Sequence, residues 1–191
     1  MPDHLKLDDF LITRMHWVSM LVQLPPEGVA STFASEEACI SRFREVRWPG
    51  GVLCDRCGAP KPRWLRSREV FECVGCGRQF SVKTGTLLER SRHPLQTWFQ
   101  AAELLIKRRG STSSYDLSLE DFESALGLYR PAAVRLRTKL REDLSPGGPC
   151  LVGKAVCCNS LELPLGLKPN SPAHCDWLRE CAVELGYRFA I

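Results

Sequence analysis

A chain of 191 residues can bury one ordinary core or two small ones. Its 44% hydrophobic and 25% charged content is that of a folded protein and excludes a disordered or low-complexity one, and a net charge of +4 is moderate. A membrane span is excluded too: the longest apolar run, FLITRMHWVSMLVQL, carries Arg14 and His16 and is too short to cross a bilayer.

The opening MPDHLKLDDF is acidic and lacks the basic start and small-residue cleavage site of a signal peptide. A cytoplasmic location is therefore expected, with thiols kept reduced. Ten cysteines in that compartment point to metal or buried thiols rather than to a disulfide framework.

Residues 1–32 read as an N-terminal helical segment. Leu7, Phe10, Leu11, Trp17, Val18 and Leu21 share one face, and PPEG breaks the helix. That face either packs on the domain or binds a partner. Residues 33–93 begin with a lead-in helix in FASEEACISRFREVRW. Ser35 can cap it, Glu36 and Glu37 occupy its first turn, and Ala38, Cys39, Phe43 and Val46 face inward, against the module that follows.

That module carries Cys54, Cys57, Cys73 and Cys76 in a C-x2-C-x15-C-x2-C pattern, the spacing of a zinc site. Gly58 and Gly77 each follow a pair, where a residue without a β-carbon lets the backbone turn back towards the sulfurs. Four thiolates leave no open coordination position, so one structural Zn²⁺ is expected, not a catalytic one. The segment between the pairs reads as two short strands around a turn near Ser67, and RQFSV supplies a third, which makes a zinc ribbon. A redox C-x-x-C is the alternative, but such a motif occurs once and inside a βαβ unit, which is missing here.

Residues 54–93 hold nine basic and four acidic side chains, more positive charge than any other part of the chain. Among them Arg63, Arg66, Arg68, Arg78 and Lys83, with Trp64 in their midst, suit a phosphate backbone. A merely solvated basic surface is the other reading.

Residues 94–143 read as helical. Pro94 stands at a first helical position, and Leu95, Trp98, Phe99, Ala102, Leu105 and Ile106 recur on one face. Lys107, Arg108 and Arg109 favour the C-terminal end, Gly110 can close it, and STSSYD reads as a loop. Ser118 and Asp121 form a capping box for a short helix to about Leu126. Gly127 turns the chain, and Pro131 opens another helix to about Asp143.

Phe122, Leu126, Leu128, Ala133 and Leu136 fall where a helix-turn-helix needs inward residues. Glu123 departs from the small residue expected at the crossing. An ordinary helical hairpin is the alternative. In a recognition helix, Arg130 and Arg135 would reach guanine and Val134 a thymine methyl. Arg137, Thr138, Lys139 and Arg141 would lie along the phosphates.

Residues 144–191 read as a tail. SPGGP is a linker and LVGKAVCC a strand. SPAHCDWLRECAVELGYRFAI is a helix with Trp177, Leu178, Cys181 and Leu185 on one face. Cys150, Cys157, Cys158, His174, Cys175 and Cys181 fit no ribbon or finger spacing and read as buried or incidental thiols rather than a second metal site.

Four motifs occur in order: R-W-P-x-G at Arg47 to Gly51, both cysteine knuckles, T-G-T at Thr84 to Thr86, and P-L-x-x-W-F at Pro94 to Phe99. On them, residues 33–143 resemble the N-terminal half of the ISXO-like insertion-sequence transposases. The resemblance implies a zinc ribbon and a helical region that recognise terminal inverted repeats in double-stranded DNA. It also implies a following RNase H-like domain with a D-D-E acidic set. Here the chain departs, because Cys158 and Asn159 stand where the first acidic residues belong. Two-metal chemistry needs convergent carboxylates.

The expectation is an α+β protein: lead-in helix, zinc ribbon, helix-turn-helix-like region and short tail. It would bind DNA without catalysis, as a truncated transposase or derived regulator, alone as a homodimer or beside an intact subunit. A ribbon that binds another protein is the rival.

Overall fold

The computed structural model describes residues 3–111 and 117–188, and side chains from Asp9 onward. The side chain of Leu7 and most of the STSSYD loop lie outside what it describes.

The helices in chain order are α1 (Asp3–Val22), α2 (Val29–Thr32), α3 (Glu36–Arg47), α4 (Leu95–Ser111), α5 (Leu119–Leu126), α6 (Arg130–Leu144), α7 (Leu151–Val156) and α8 (Pro172–Glu184). Between α3 and α4 lies an antiparallel sheet of β1 (Arg63–Leu65), β2 (Val70–Glu72) and β3 (Gln79–Phe80), in the order β1-β2-β3. The expected α+β architecture is therefore present, as are both turns: a 3₁₀ turn at Arg66–Arg68 joins β1 to β2, and the second cysteine knuckle joins β2 to β3.

The centre of the molecule is α4. Its apolar stripe of Leu95, Trp98, Phe99, Ala102, Leu105 and Ile106 is buried as the periodicity predicts, each large side chain contributing about 1.5–3 kcal/mol. It packs against α1, α2, α3, α5, α6 and α7. Its first turn is capped from outside, because the Glu36 carboxylate accepts the backbone N–H of Leu95 at 2.7 Å and of Gln96 at 3.0 Å. Glu36 therefore serves two helices, standing in the first turn of α3 while satisfying the orphan amides of α4. Pro94 sits just before α4 rather than within it, its carbonyl accepting from Trp98 N–H.

Gly110 does not close α4. It lies inside the helix, buried against α1, where an added β-carbon would stand 2.7 Å from Leu21 Cβ and 3.1 Å from the Trp17 carbonyl. The residue is there for close approach of two helices, which a single sequence cannot separate from a helix stop. On α1 itself, Trp17, Val18 and Leu21 are buried with Met15 and Met20, but Phe10 is 60% exposed and does not join the expected face.

Residues 144–188 are not a loose appendage. LVGKAVCC is helical, not a strand: Val152, Ala155 and Val156 are buried at helical spacing, and Asp143 caps the turn. The fully buried Asp143 carboxylate accepts from Leu151, Val152 and Gly153 N–H at 2.8, 2.9 and 3.2 Å. Burial pushes its carboxyl upward, and the three amides pull against that shift. Helix α8 packs on α1 through Cys175, Leu178 and Ala182, with Leu185 47% exposed, so its inner face is rotated from the expected one. The Asn159 side-chain amide donates to the Leu24 carbonyl, holding the chain beyond α7 against the end of α1.

Candidate metal centre and basic surface

Each C-x-x-C pair forms the same knuckle. Cys54 N–H donates to the Ala59 carbonyl at 2.9 Å and Cys73 N–H to Arg78 at 2.8 Å, while Gly58 and Gly77 N–H return to Cys54 and Cys73 carbonyls. Gly58 has φ 71° and Gly77 φ 69°, and a β-carbon at either would meet nothing within 4 Å. It is the left-handed backbone that requires glycine here, not crowding.

The knuckles bring Cys54, Cys57, Cys73 and Cys76 together, all four sulfurs within 4.8 Å of one another. Sγ of Cys54 lies 3.7 Å from that of Cys76, and Sγ of Cys57 lies 3.5 Å from that of Cys73. Zinc–sulfur bonds of about 2.3 Å in a tetrahedron set sulfur–sulfur edges of about 3.8 Å, so the donor set fits the ion. The backbone N–H of Arg56 points at Cys54 Sγ, 3.4 Å away, the kind of outer hydrogen bond that orients a thiolate ligand.

The thiols are unequal. Burial pushes Cys54 up, but amide hydrogen bonds from Cys57 and Arg56 and the neighbouring thiols outweigh it, leaving it lowered to about 7. Cys57 is raised to about 12: the Ala59 amide lowers it, and the three other cysteines raise it more. Among the described residues this is the one group of three or more His, Cys, Asp or Glu side chains close enough to hold an ion. The tail cysteines form no second such group within those residues.

The ribbon is seated by aromatic rings. Phe71 lies 4.7 Å from Trp64, 5.6 Å from Phe80 and 5.9 Å from Trp48, which follows α3. Arg47 stacks 4.1 Å over Trp48 and donates to the Val82 carbonyl, so α3 and the ribbon share one joint, as the sequence predicts.

The predicted cations divide into two sets. Several on the ribbon are engaged locally: Arg63 with Glu72, Arg66 with Glu37 at 2.9 Å, and Arg78 with Asp55 at 3.2 Å. Lys83 is half-buried and donates to the His93 carbonyl, and burial lowers its pKa. Arg68 is exposed. On α6, Ala133, Leu136 and Leu140 are buried, and Arg130, Pro131, Val134, Arg135, Thr138 and Arg141 are exposed on the opposite side. Lys139 instead donates to the Leu87 carbonyl, tying α6 to the segment that leaves the ribbon. Arg137 is half-buried with its Nε enclosed. Glu123 at the α5–α6 crossing lies 3.7 Å from Arg130, an ion pair where a small residue was expected.

Tyr129 was missed from sequence, while Arg90 and Arg92 were counted only in the basic charge of residues 54–93. Arg90 and Arg92 are exposed beside α6, and Tyr129, 66% exposed, precedes its first turn, its hydroxyl 3.4 Å from an Arg135 nitrogen. An aromatic residue flanked by cations was the available signal. Among the described residues no helix is long and apolar enough to cross a membrane.

Residues 34–79 match the family model described as the transposase zinc-ribbon domain. A relative from Halobacterium salinarum, named as an uncharacterized protein in transposable element ISH50, is 33% identical over 92 residues. That match covers 47% of this chain and 31% of the relative's length. No solved structure matches the chain. The geometry of the four thiols and these two matches agree: residues 34–79 are similar to a transposase zinc ribbon, and their four cysteines form a site for one zinc ion.

Proposed function

We propose that the protein binds double-stranded DNA in the manner of a transposase end-recognition region, and does so without cutting it. One observation carries the reading. Helix α6 sets an exposed face of Arg130, Val134, Arg135, Thr138 and Arg141 directly opposite a buried stripe, on a two-helix unit held to the core by α4. A helix so mounted can enter a major groove of about 12 Å width with its N-terminal residues at base edges. The kinship to transposase ribbons supports DNA as the partner and terminal inverted repeats as the target, bound by a homodimer or beside an intact transposase.

The zinc holds the ribbon, and the ribbon holds α6 through the Lys139–Leu87 bond. This division changes what the ribbon cations do. Arg63, Arg66 and Arg78 brace the module, and Arg68 remains for a phosphate. A site closed by four thiolates offers zinc no place for a reactive water, which supports binding without catalysis.

The test is titration on terminal-repeat and unrelated duplexes at several salt concentrations. Arg135→Ala should lose about 1–3 kcal/mol on the preferred duplex and relax its preference. Arg141→Ala should weaken all duplexes alike and flatten the salt slope by about one unit. Unchanged binding in both variants would end the groove-reading assignment. Parent binding that ignores salt would point to the rival, a protein-binding ribbon, for which Val74, 80% exposed on the second knuckle, is the anchor.

A further inference from the structure

A cleft of about 430 Å³ opens between the 89–93 segment and the first half of α6. Ligand pockets begin at roughly 300 Å³, so the space exceeds what a bare phosphate needs. Its lining divides by chemistry. Arg90, Arg92 and Arg135 supply positive charge; Trp98, Ala132 and Leu136 supply an apolar floor; Tyr129 supplies an exposed ring. The one carboxylate present, Glu89, accepts from the Gly85 amide at 3.2 Å.

Both walls are fastened. Trp98 Nε1–H and His93 N–H both donate to Ser91 Oγ at 3.2 Å, joining the 89–93 segment to α4. Lys83 holds the His93 carbonyl, and Lys139 holds the Leu87 carbonyl. Arg90 takes φ 61°, a left-handed conformation that a β-carbon disfavours, in the turn closed by Ser91 N–H on the Leu88 carbonyl. The cleft is therefore built before any ligand arrives.

A cationic rim, an apolar floor and an aromatic ring in one half-open space match the parts of a nucleotide. A phosphate alone has no use for the floor, and a base pair inside a duplex cannot reach it, because both faces of a paired base are stacked. We propose that this cleft takes one unpaired nucleotide of a nucleic-acid strand, its phosphate against Arg90 and Arg92 and its base against Tyr129. The inference rests on the DNA-binding reading only in placing nucleic acid near α6, and it does not require that helix to enter a groove.

The experiment uses the full zinc-loaded chain, a labelled ten-nucleotide oligothymidine and a blunt duplex. Base–aromatic stacking of about 1–3 kcal/mol corresponds to roughly 5- to 150-fold in affinity. Tyr129→Ala should weaken oligothymidine binding about tenfold, while Tyr129→Phe, which keeps the ring, should stay within about twofold. The Arg90→Ala/Arg92→Ala double variant should also lose about tenfold or more on the single strand and less than about threefold on the blunt duplex. Unchanged thermal melts show that the variants fold.

Three results overturn the proposal. The parent chain fails to bind oligothymidine; the Tyr129 and Arg90/Arg92 variants weaken duplex and single strand equally, which makes these residues ordinary duplex contacts; or thymidine monophosphate displaces the oligomer at equal concentration, which makes the cleft a free-nucleotide site. A parent that binds the single strand but no duplex ends the groove reading above and leaves this one standing.

Discussion

The Glu36 carboxylate accepts the Leu95 backbone N–H at 2.7 Å and so stitches the first turn of α3 to the first turn of α4, on either side of the ribbon. The ribbon is in effect a loop closed at its base by this bond. Removing the acceptor leaves two helix amides without a partner. Glu36→Ala should cost about 1–3 kcal/mol in a denaturant titration, and Glu36→Gln, which keeps an oxygen for one amide but turns its NH2 group to the other, an intermediate amount. Equal losses would show that a single acceptor oxygen does not hold the two amides.

Metal removal should separate the ribbon from the helices. The purified chain should carry one zinc, and cobalt in its place should give the absorption of a four-thiolate tetrahedral site. Cys76→Ser, or chelation, should abolish that spectrum and expose Phe71 and Phe80. Most of the far-ultraviolet helical signal should survive, because the α4 core holds no metal ligand. Full cooperative unfolding on chelation would show that the two parts fold as one.

Gly110→Ala tests close approach against helix propensity. On an open helix the change would stabilise by about 1 kcal/mol. Here the new methyl would stand 2.7 Å from Leu21 Cβ, which cannot swing aside, so a net loss of about 1–3 kcal/mol is expected in thermal or denaturant melts. A gain in stability would mean that α1 and α4 separate easily.

Asp143→Ala should be among the most damaging changes outside the ribbon. It strips the acceptor from three amides at the start of α7, inside the core. A loss of about 2–4 kcal/mol is expected. Asp143→Asn should lose nearly as much, because its NH2 group would face an N–H. Amide exchange in Leu151, Val152 and Gly153 should rise in both variants.

Thiol labelling should follow environment. Burial holds Cys39 up at about 12 and pushes the half-buried Cys157, whose Sγ donates to the Met20 carbonyl, still further up, so both stay protonated at pH 8. Cys158 is exposed. In zinc-loaded protein, iodoacetamide should modify Cys158 first and Cys39 and Cys157 last, as read by peptide mass spectrometry. Early labelling of Cys157 would show that α7 opens.

The sequence alone determined whatever depends on near neighbours. Cysteine spacing and the glycine after each pair specify the knuckles, because one turn of backbone is all a knuckle contains. The three- and four-residue recurrence of apolar side chains specifies α4 and the buried stripe of α6. Ser35, Ser118 and Gly127 mark helix ends through contacts within three or four residues. Only the tertiary structure decided the long-range pairings. Glu36 reads as a first-turn acid until α4 is seen to start beside it. Gly110 reads as a helix stop until α1 crosses it, and Lys139 reads as a phosphate ligand until the Leu87 carbonyl meets it. LVGKAVCC reads as a strand, yet the buried Asp143 eight residues before Leu151 supplies a cap that favours a helix. Each reversal has the same physical reason. A polar group or a bare α-carbon takes its role from whichever backbone comes within a few ångströms, and that distance is set by folding rather than by spacing along the chain.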